Sequence, residues 1–463
     1  MAWQEWEIKD FSEGYIDIVD DNLLPENAAA KVQNFISPKI GSLKKRDGQA
    51  RLNGFDLGGP VRGLHAYYYG SQRKLVAAVA GKAAYWDPVA EGFVDIKTGL
   101  NANALTDFAT LVNYMVVFNG VDAPWKWDGT TVSTLANAPT DGQFALLHKE
   151  KLFTVPAGTS STLKWSDSFQ PESWPAVNYW DVKKGDGDVI TCLRRHLDTL
   201  VVFKRYSLHT LSGTNLDDFR LEEMDERRGC VGKFAAAVDG PYLYFVSDEG
   251  LCRYNGMQVI NLSEQRIPNL WKTINKEYIH KAAVAVWNGL VWFALPEGAS
   301  TYNNLIIVYD PAGETGKFWI WRGIEASCFQ VFYDGVQRKL YSGDAAAGYV
   351  NQQDTGTDDF GNAITAYWEG KAVATGVADR KNMFGWAVIQ DSPGANDIDL
   401  QMSLDYGNFI SLQDGGGDTL VRRYDFFNSY EGRYLKPKLI HSALGGCEVR
   451  GLKVYFKPLV GVL

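Results

Sequence analysis

Seven stretches of this 463-residue chain share one plan, at intervals of 37 to 50 residues. Residues 72–86 read QRKLVAAVAGKAAYW and residues 337–351 read QRKLYSGDAAAGYVN. Weaker copies lie between them, including NYMVVFNGVDAPWKWDG (113–129), DTLVVFKRYSLHTLSG (198–213) and PYLYFVSDEGLCRYNG (241–256). In each, a β-rich strand follows a turn, a short polar loop follows the strand, and a second strand runs into an Asx-Gly or Asp-Pro turn. Aligned on the first strand, the anchors are Leu75, Met115, Leu152, Leu200, Leu243, Leu290 and Leu340. That period suits a β-propeller of four-stranded blades. One such sheet cannot cover its own apolar faces, whereas a closed ring of sheets covers all of them. The expectation is an all-β chain with a propeller of about seven blades, six and eight being close alternatives. Unrelated stacked sandwiches fit less well, because their turns recur at roughly 8–12 residues without a longer period.

The pattern changes after Tyr349. From DTGTDDFGNAITAYWEGKA (354–372) onward the chain holds about five alternating strands. Ile398, Leu400, Met402 and Leu404 fall on one face, and Asp397, Asp399, Gln401 and Ser403 on the other. That is the pattern of half-buried antiparallel strands. The predicted organisation is an N-terminal arm with the strand that leads into the propeller (1–52), the β-propeller (53–353) and a C-terminal antiparallel β-sandwich (354–463). The apolar tail Val460 to Leu463 is expected to pack on something, such as a neighbouring subunit.

The arm, DNLLPENAAAKVQNFISPKIGSLKKRDG (21–48), differs from the rest. Leu24, Ala28, Val32 and Phe35 are spaced by 4, 4 and 3, as on one face of a short helix. Pro25 suits a first turn, Asn22 a cap, and Pro38 with Gly41 a stop. The sequence therefore predicts a short amphipathic helix that packs on its own propeller or meets a second subunit. Lys44, Lys45 and Arg46 follow it as a candidate contact for DNA or an acidic partner, against the plainer reading of a solvated hairpin end.

Composition narrows the function. Hydrophobic residues make up 46% and charged residues 22%, so bulk disorder is not expected. The net charge of −9 argues against a protein whose main task is to grip nucleic acid. The five cysteines are scattered and form no CxxC, which points away from a disulfide framework or a zinc site and toward a reducing cytoplasm. The N-terminus carries Glu5, Glu7 and Asp10 where a leader peptide needs an apolar run, and no apolar stretch is long enough to cross a membrane.

No catalytic constellation emerges. His65, His148, His196, His209, His280 and His441 lack metal-ligand spacing. The runs holding Asp186 and Asp188, and Asp354, Asp358 and Asp359, do not match a calcium loop and read as turns. SDSFQPESW (166–174) only approaches the Ser-x-Asp-x-Gly-x-x-Trp turn of propeller sialidases and occurs once. No dinucleotide fingerprint, phosphate loop or nucleophile elbow is present. The expectation is a non-enzyme without cofactor or metal.

Three stretches carry a family resemblance: DNLLPENAAAKVQNF with GSLKKRDG, LKWSDSFQPESWPAVNYWDVKKGDGDVITCLRRHLDTLVVFKRYSLHTLSG (163–213), and RRGCVGKFAAAVDGPYLYFVSDEGLCRYNG (227–256). Together with MSLDYGNF and GRYLKPKL they resemble structural proteins of tailed bacteriophages, and within that group the tail nozzle and neck-tail proteins of short-tailed phages. The resemblance implies a virion protein of the tail, assembled in the host cytoplasm. It implies a homo-oligomeric ring, often of six, below a portal and adaptor, in contact with other tail or fibre proteins. Double-stranded DNA would pass transiently through the ring during ejection, with no stable membrane insertion. The alternatives are a tail-tip propeller that binds a receptor or carbohydrate, and, further off, a propeller glycosidase.

Overall fold

The computed structural model describes residues 4–313, 315–374, 381–382, 386–390, 397–417, 421–425, 431–432 and 434–458. Seven β-sheets stand around one axis. Blade 1 runs from Val61–Tyr69 to Gly92–Lys97, blade 2 from Asp107–Leu111 to Val132–Thr134, and blade 3 from Leu146–His148 to Tyr179–Asp181. Blade 4 runs from Ile190–His196 to Arg220–Asp225, blade 5 from Ala236–Asp239 to Val259–Asn261, and blade 6 from Ala283–Trp287 to Lys317–Arg322. Each is a four-stranded antiparallel meander whose first strand is innermost. Every first strand touches the first strands of both neighbours, and that of blade 7, Ala326–Tyr333, touches that of blade 1. The ring is closed, and the chain is a seven-bladed β-propeller.

Apolar clusters straddle the joints between blades, which is why the blades need each other. Phe153, Leu163 and Trp165 of blade 3 pack with Leu193, Leu200 and Phe219 around blade 4. Trp165 meets Phe219 edge to face, with ring centroids 5.2 Å apart. Each fully buried Leu or Phe contributes about 1.5–3 kcal/mol, and a lone blade would leave them wet. The inner strands also come close to one another. A Cβ on Gly63 would lie 2.2 Å from the Thr106 carbonyl oxygen at the joint of blades 1 and 2, so only glycine fits there.

Blade 7 is closed from the other end of the chain. Its strands Ala326–Tyr333, Arg338–Asp344 and Val350–Gln353 come last in the propeller, and Gln49–Arg51 supplies the fourth. The register pairs Asn351 with Arg51 and Gln353 with Gln49. Asp358–Asp359 and Asn362–Ala363 extend the same sheet beyond Gln49–Arg51. Residues 49–51 are therefore part of the propeller, and a division at residue 53 cuts through blade 7.

The C-terminal module has two main sheets. One places Tyr434–His441 between Ala366–Glu369 and Ile398–Leu404, and the other pairs Gly451–Pro458 with Trp386–Gln390. Leu400, Met402 and Leu439 share one apolar cluster with Leu452 and Val454. Each sheet takes a strand from the N-terminus: Gln4–Ile8 pairs with Gly451–Pro458, and Lys31–Gln33 with Ala366–Glu369.

The predicted N-terminal helix is absent. Residues 21–36 form turns and short strands, and Ala28–Ala29 pairs in parallel with Gly14–Tyr15. A helix of two or three turns gains little by itself. This segment is instead wedged between the outer strand of blade 6 and the C-terminal module. Asn34 N–H donates to the Ile320 carbonyl at 2.8 Å, and Ala30 N–H to that of Glu369 at 2.8 Å. The small alanines let the two sheets approach. The tail 460–463 lies outside the described residues.

Candidate functional site

A cleft of about 400 Å³ opens where the N-terminal segment meets blade 6. One wall is the strand pair Phe35–Ile36 and Leu43–Lys45 with its Pro38 turn. The other is the turn from Trp287 to Leu290, between the first two strands of blade 6. Asp354, just past the last propeller strand, joins them. Its Oδ2 accepts from the Trp287 indole N–H at 2.7 Å and from Asn288 Nδ2 at 2.7 Å. Both Asn288 (φ 50) and Asp354 (φ 58) are left-handed, a conformation that Asn and Asp adopt more readily than bulkier residues. The turn and the carboxylate hold the indole in place.

Burial pushes the Asp354 carboxyl up from the usual carboxylate range, and the negative charge of nearby Asp47 adds to the shift. Lys44 Nζ in turn sits 2.9 and 3.1 Å from the two Asp47 oxygens. Asp310 lines the same space. Trp292 and Trp321, 4.9 Å apart edge to face, complete the aromatic side. Trp321 donates to the Phe35 carbonyl at 3.4 Å, whereas the buried Trp292 indole N–H has no acceptor among the described residues. The cleft thus combines one half-buried indole, an apolar floor, carboxyl groups, an amide and an ammonium.

A second feature is the loop at residues 230–235, which spans the propeller axis. Lys233 Nζ donates to the carbonyls of Leu105 (2.8 Å) and Gln143 (2.7 Å), which precede blades 2 and 3. Arg194 of blade 4 donates to the carbonyls of Lys233 and Ala236, both at 2.8 Å. Val284 N–H of blade 6 donates to the Phe234 carbonyl at 2.9 Å. Phe234 packs on the cluster of Val61 and Cys328, from blades 1 and 7. One loop therefore ties all the blades at one end of the channel. Gly232 allows it: a Cβ there would lie 2.0 Å from the His280 carbonyl oxygen. Burial lowers the Lys233 ammonium to about 8. A Lys233→Met variant strands both carbonyls and is expected to lose about 1–3 kcal/mol in urea unfolding.

The residues singled out from sequence sit elsewhere in the physics. Leu24, Ala28, Val32 and Phe35 are all buried within the chain, at 0–2% exposure, so none of the four side chains presents a surface to a second subunit. Of the basic trio, only Lys44 reaches solvent. Lys45 is buried, with Nζ 3.2 Å from His441 Nδ1 and 3.1 Å from the Ala443 carbonyl. Arg46 is buried and forks onto Asp359. These two are internal fastenings, not a basic patch for DNA. The acidic runs have similar duties: Asp186 pairs with buried Lys204 at 2.6 Å, and Asp188 accepts from the N–H groups of Arg205 and Tyr206. All five cysteines are buried. Among the described residues, no group of three or more His, Cys, Asp or Glu is placed to hold a metal ion, and no helix is long and apolar enough to cross a membrane. The cleft was missed because Asp47, Trp287 and Asp354 lie in three distant segments; the signal on offer was Trp287-Asn288-Gly289, an aromatic beside a tight turn.

No protein-family model matches the chain, and no curated protein matches it. Among solved structures it is similar to the computationally designed Ika8 protein, with a TM-score of 0.40 and 14% identity over 75% of this chain and 99% of that one. It is also similar to the extracellular domain of the hybrid two component system BT4673 from B. thetaiotaomicron, with a TM-score of 0.48 and 10% identity over 80% of this chain and 46% of that one.

Proposed function

We propose that this chain is a non-catalytic structural subunit of a bacteriophage tail, a nozzle-like ring component around the path of genome ejection. The observation that carries the reading is the position of the sequence stretches that resemble tail proteins. Residues 21–48 form the segment wedged between blade 6 and the C-terminal module. Residues 227–256 include the loop that ties the blades across the axis. The phrases shared with tail proteins thus fall on parts that hold the body rigid, as a wall component requires.

The tied axis also constrains the route of DNA. A duplex cannot thread a propeller whose channel is spanned by Lys233 and Phe234, so it would pass through the hole of a ring of several chains. A net charge of −9 keeps phosphate contacts weak along such a wall. Mass measurement by light scattering, with negative-stain microscopy, tests this. A closed ring is expected, six copies being the number the resemblance implies, and antibody label is expected on phage tails. A monomer at micromolar concentration together with unlabelled tails would reject the proposal.

A further inference from the structure

We propose that the cleft between the Trp287–Leu290 turn and the strand pair at residues 35–45 binds a saccharide ring. The Trp287 indole is half-buried, and its N–H is tied to Asp354 at 2.7 Å. It is a flat apolar plane fixed before any ligand arrives, against which the C–H face of a pyranose can shed water. Ile36, Pro38 and Leu290 continue the apolar surface. A sugar's rim of hydroxyls both donates and accepts, and the cleft answers on both counts. Asp354, Asp47 and Asp310 accept, while Asn288 and Lys44 donate. Its volume of about 400 Å³ lies toward the small end of the range for small-molecule sites.

A basic side chain is the rival ligand for an aromatic cleft with carboxyl groups. The charges here oppose it. Lys44 already neutralises Asp47, and burial with the neighbouring Asp47 biases Asp354 toward its uncharged form. An arriving cation would meet the Lys44 ammonium beside Asp47, whereas a polyol finds both donors and acceptors. Cleavage is no part of the proposal. Asp354 is engaged by the Trp287 and Asn288 N–H groups and Asp47 by the Lys44 ammonium, so neither carboxyl stands ready as the acid or nucleophile that glycoside hydrolysis needs. The cleft would hold sugar in a monomer as well as in a ring.

Saturation-transfer NMR on the full chain tests it, with the methyl glycosides of glucose, galactose, mannose, rhamnose and N-acetylglucosamine as probes and N-acetyl-lysine amide as the cationic control. At least one glycoside is expected to bind saturably. Trp287→Ala is expected to weaken that binding about tenfold. Asn288→Gly keeps the left-handed turn and removes only the amide, so it stays informative if Trp287→Ala misfolds; about threefold weakening is expected. Particle mass in the same samples reports assembly separately. Absence of transfer from all five glycosides, equal affinity in a folded variant and the parent, or tighter binding of the lysine amide would each overturn the proposal.

Discussion

Replacing Arg46 by methionine is expected to destabilise the protein by about 3–5 kcal/mol, read as a lower urea midpoint. The Arg46 guanidinium is the most heavily used single group near the junction of the two modules. Its Nε donates to Asn34 Oδ1 at 3.1 Å, Nη1 to the Asp47 carbonyl and Asp359 Oδ1 at 3.0 Å, and Nη2 to the Arg322 carbonyl at 3.0 Å and to Asp359 Oδ2. One side chain thus joins the N-terminal segment, the last strand of blade 6 and the extension of blade 7. Methionine fills much of the volume but leaves the largely buried Asp359 carboxylate unpaired. An Arg46→Met, Asp359→Leu double variant removes the stranded charge and is expected to recover most of the loss. Lysine in place of Arg46 supplies one point charge where a planar fork is used, so it should resemble methionine more than arginine. A cost below about 1 kcal/mol for Arg46→Met would show that these contacts do not hold the N-terminal segment to the propeller.

The repeat was legible because it is local. All seven anchors, from Leu75 to Leu340, fall on the second strand of their blades, and six are among the most buried residues. A blade is a meander of adjacent strands, so its pattern is written in consecutive residues. The closure was not legible. Gln49–Arg51 is three residues long, and its partner Asn351 lies 300 positions away; nothing nearby in the chain marks the pairing. The arm was misread for a related reason. Spacings of 4, 4 and 3 mark a helix face only when the opposite face meets water. Between blade 6 and the C-terminal module these apolar side chains are buried, and Ala28, Val32 and Phe35 serve short strands. In Lys31–Gln33 only Val32 is buried, which is the alternation of a strand. The basic trio misled because charge alone does not disclose burial: Lys45 and Arg46 are inside because His441, Ala443 and Asp359, about 300 to 400 residues on, wait for them.

Stability is also expected to fall steeply between pH 6.5 and pH 4.5, before most carboxylates titrate. Burial lowers His65, His148 and His441 from the ordinary imidazole value to about 4 each. For His441 the adjacent Lys45 adds to the effect, and for His148 Lys149 does. An unfolded chain takes up these protons near pH 6.5, the folded protein only near pH 4. Across that window the unfolded state binds more protons, so stability drops as the pH falls. Discounted for solvent screening, each shift is worth on the order of 1–3 kcal/mol, so the three together are a sizeable part of the stability of an ordinary domain. Thermal melts at intervals from pH 7.5 to 4.5 measure the slope. His148 separates the cause from general acid effects, because neither ring nitrogen has a hydrogen-bond partner among the described residues and the ring packs on Phe153 at 6.0 Å. A His148→Phe variant keeps an aromatic ring there and removes the titration. Its melting temperature should match the parent at pH 7.5 and exceed it at pH 5, with the slope reduced by roughly a third. A flat parent profile over this range, or an unaltered slope in the variant, would refute the assignment of acid sensitivity to these imidazoles.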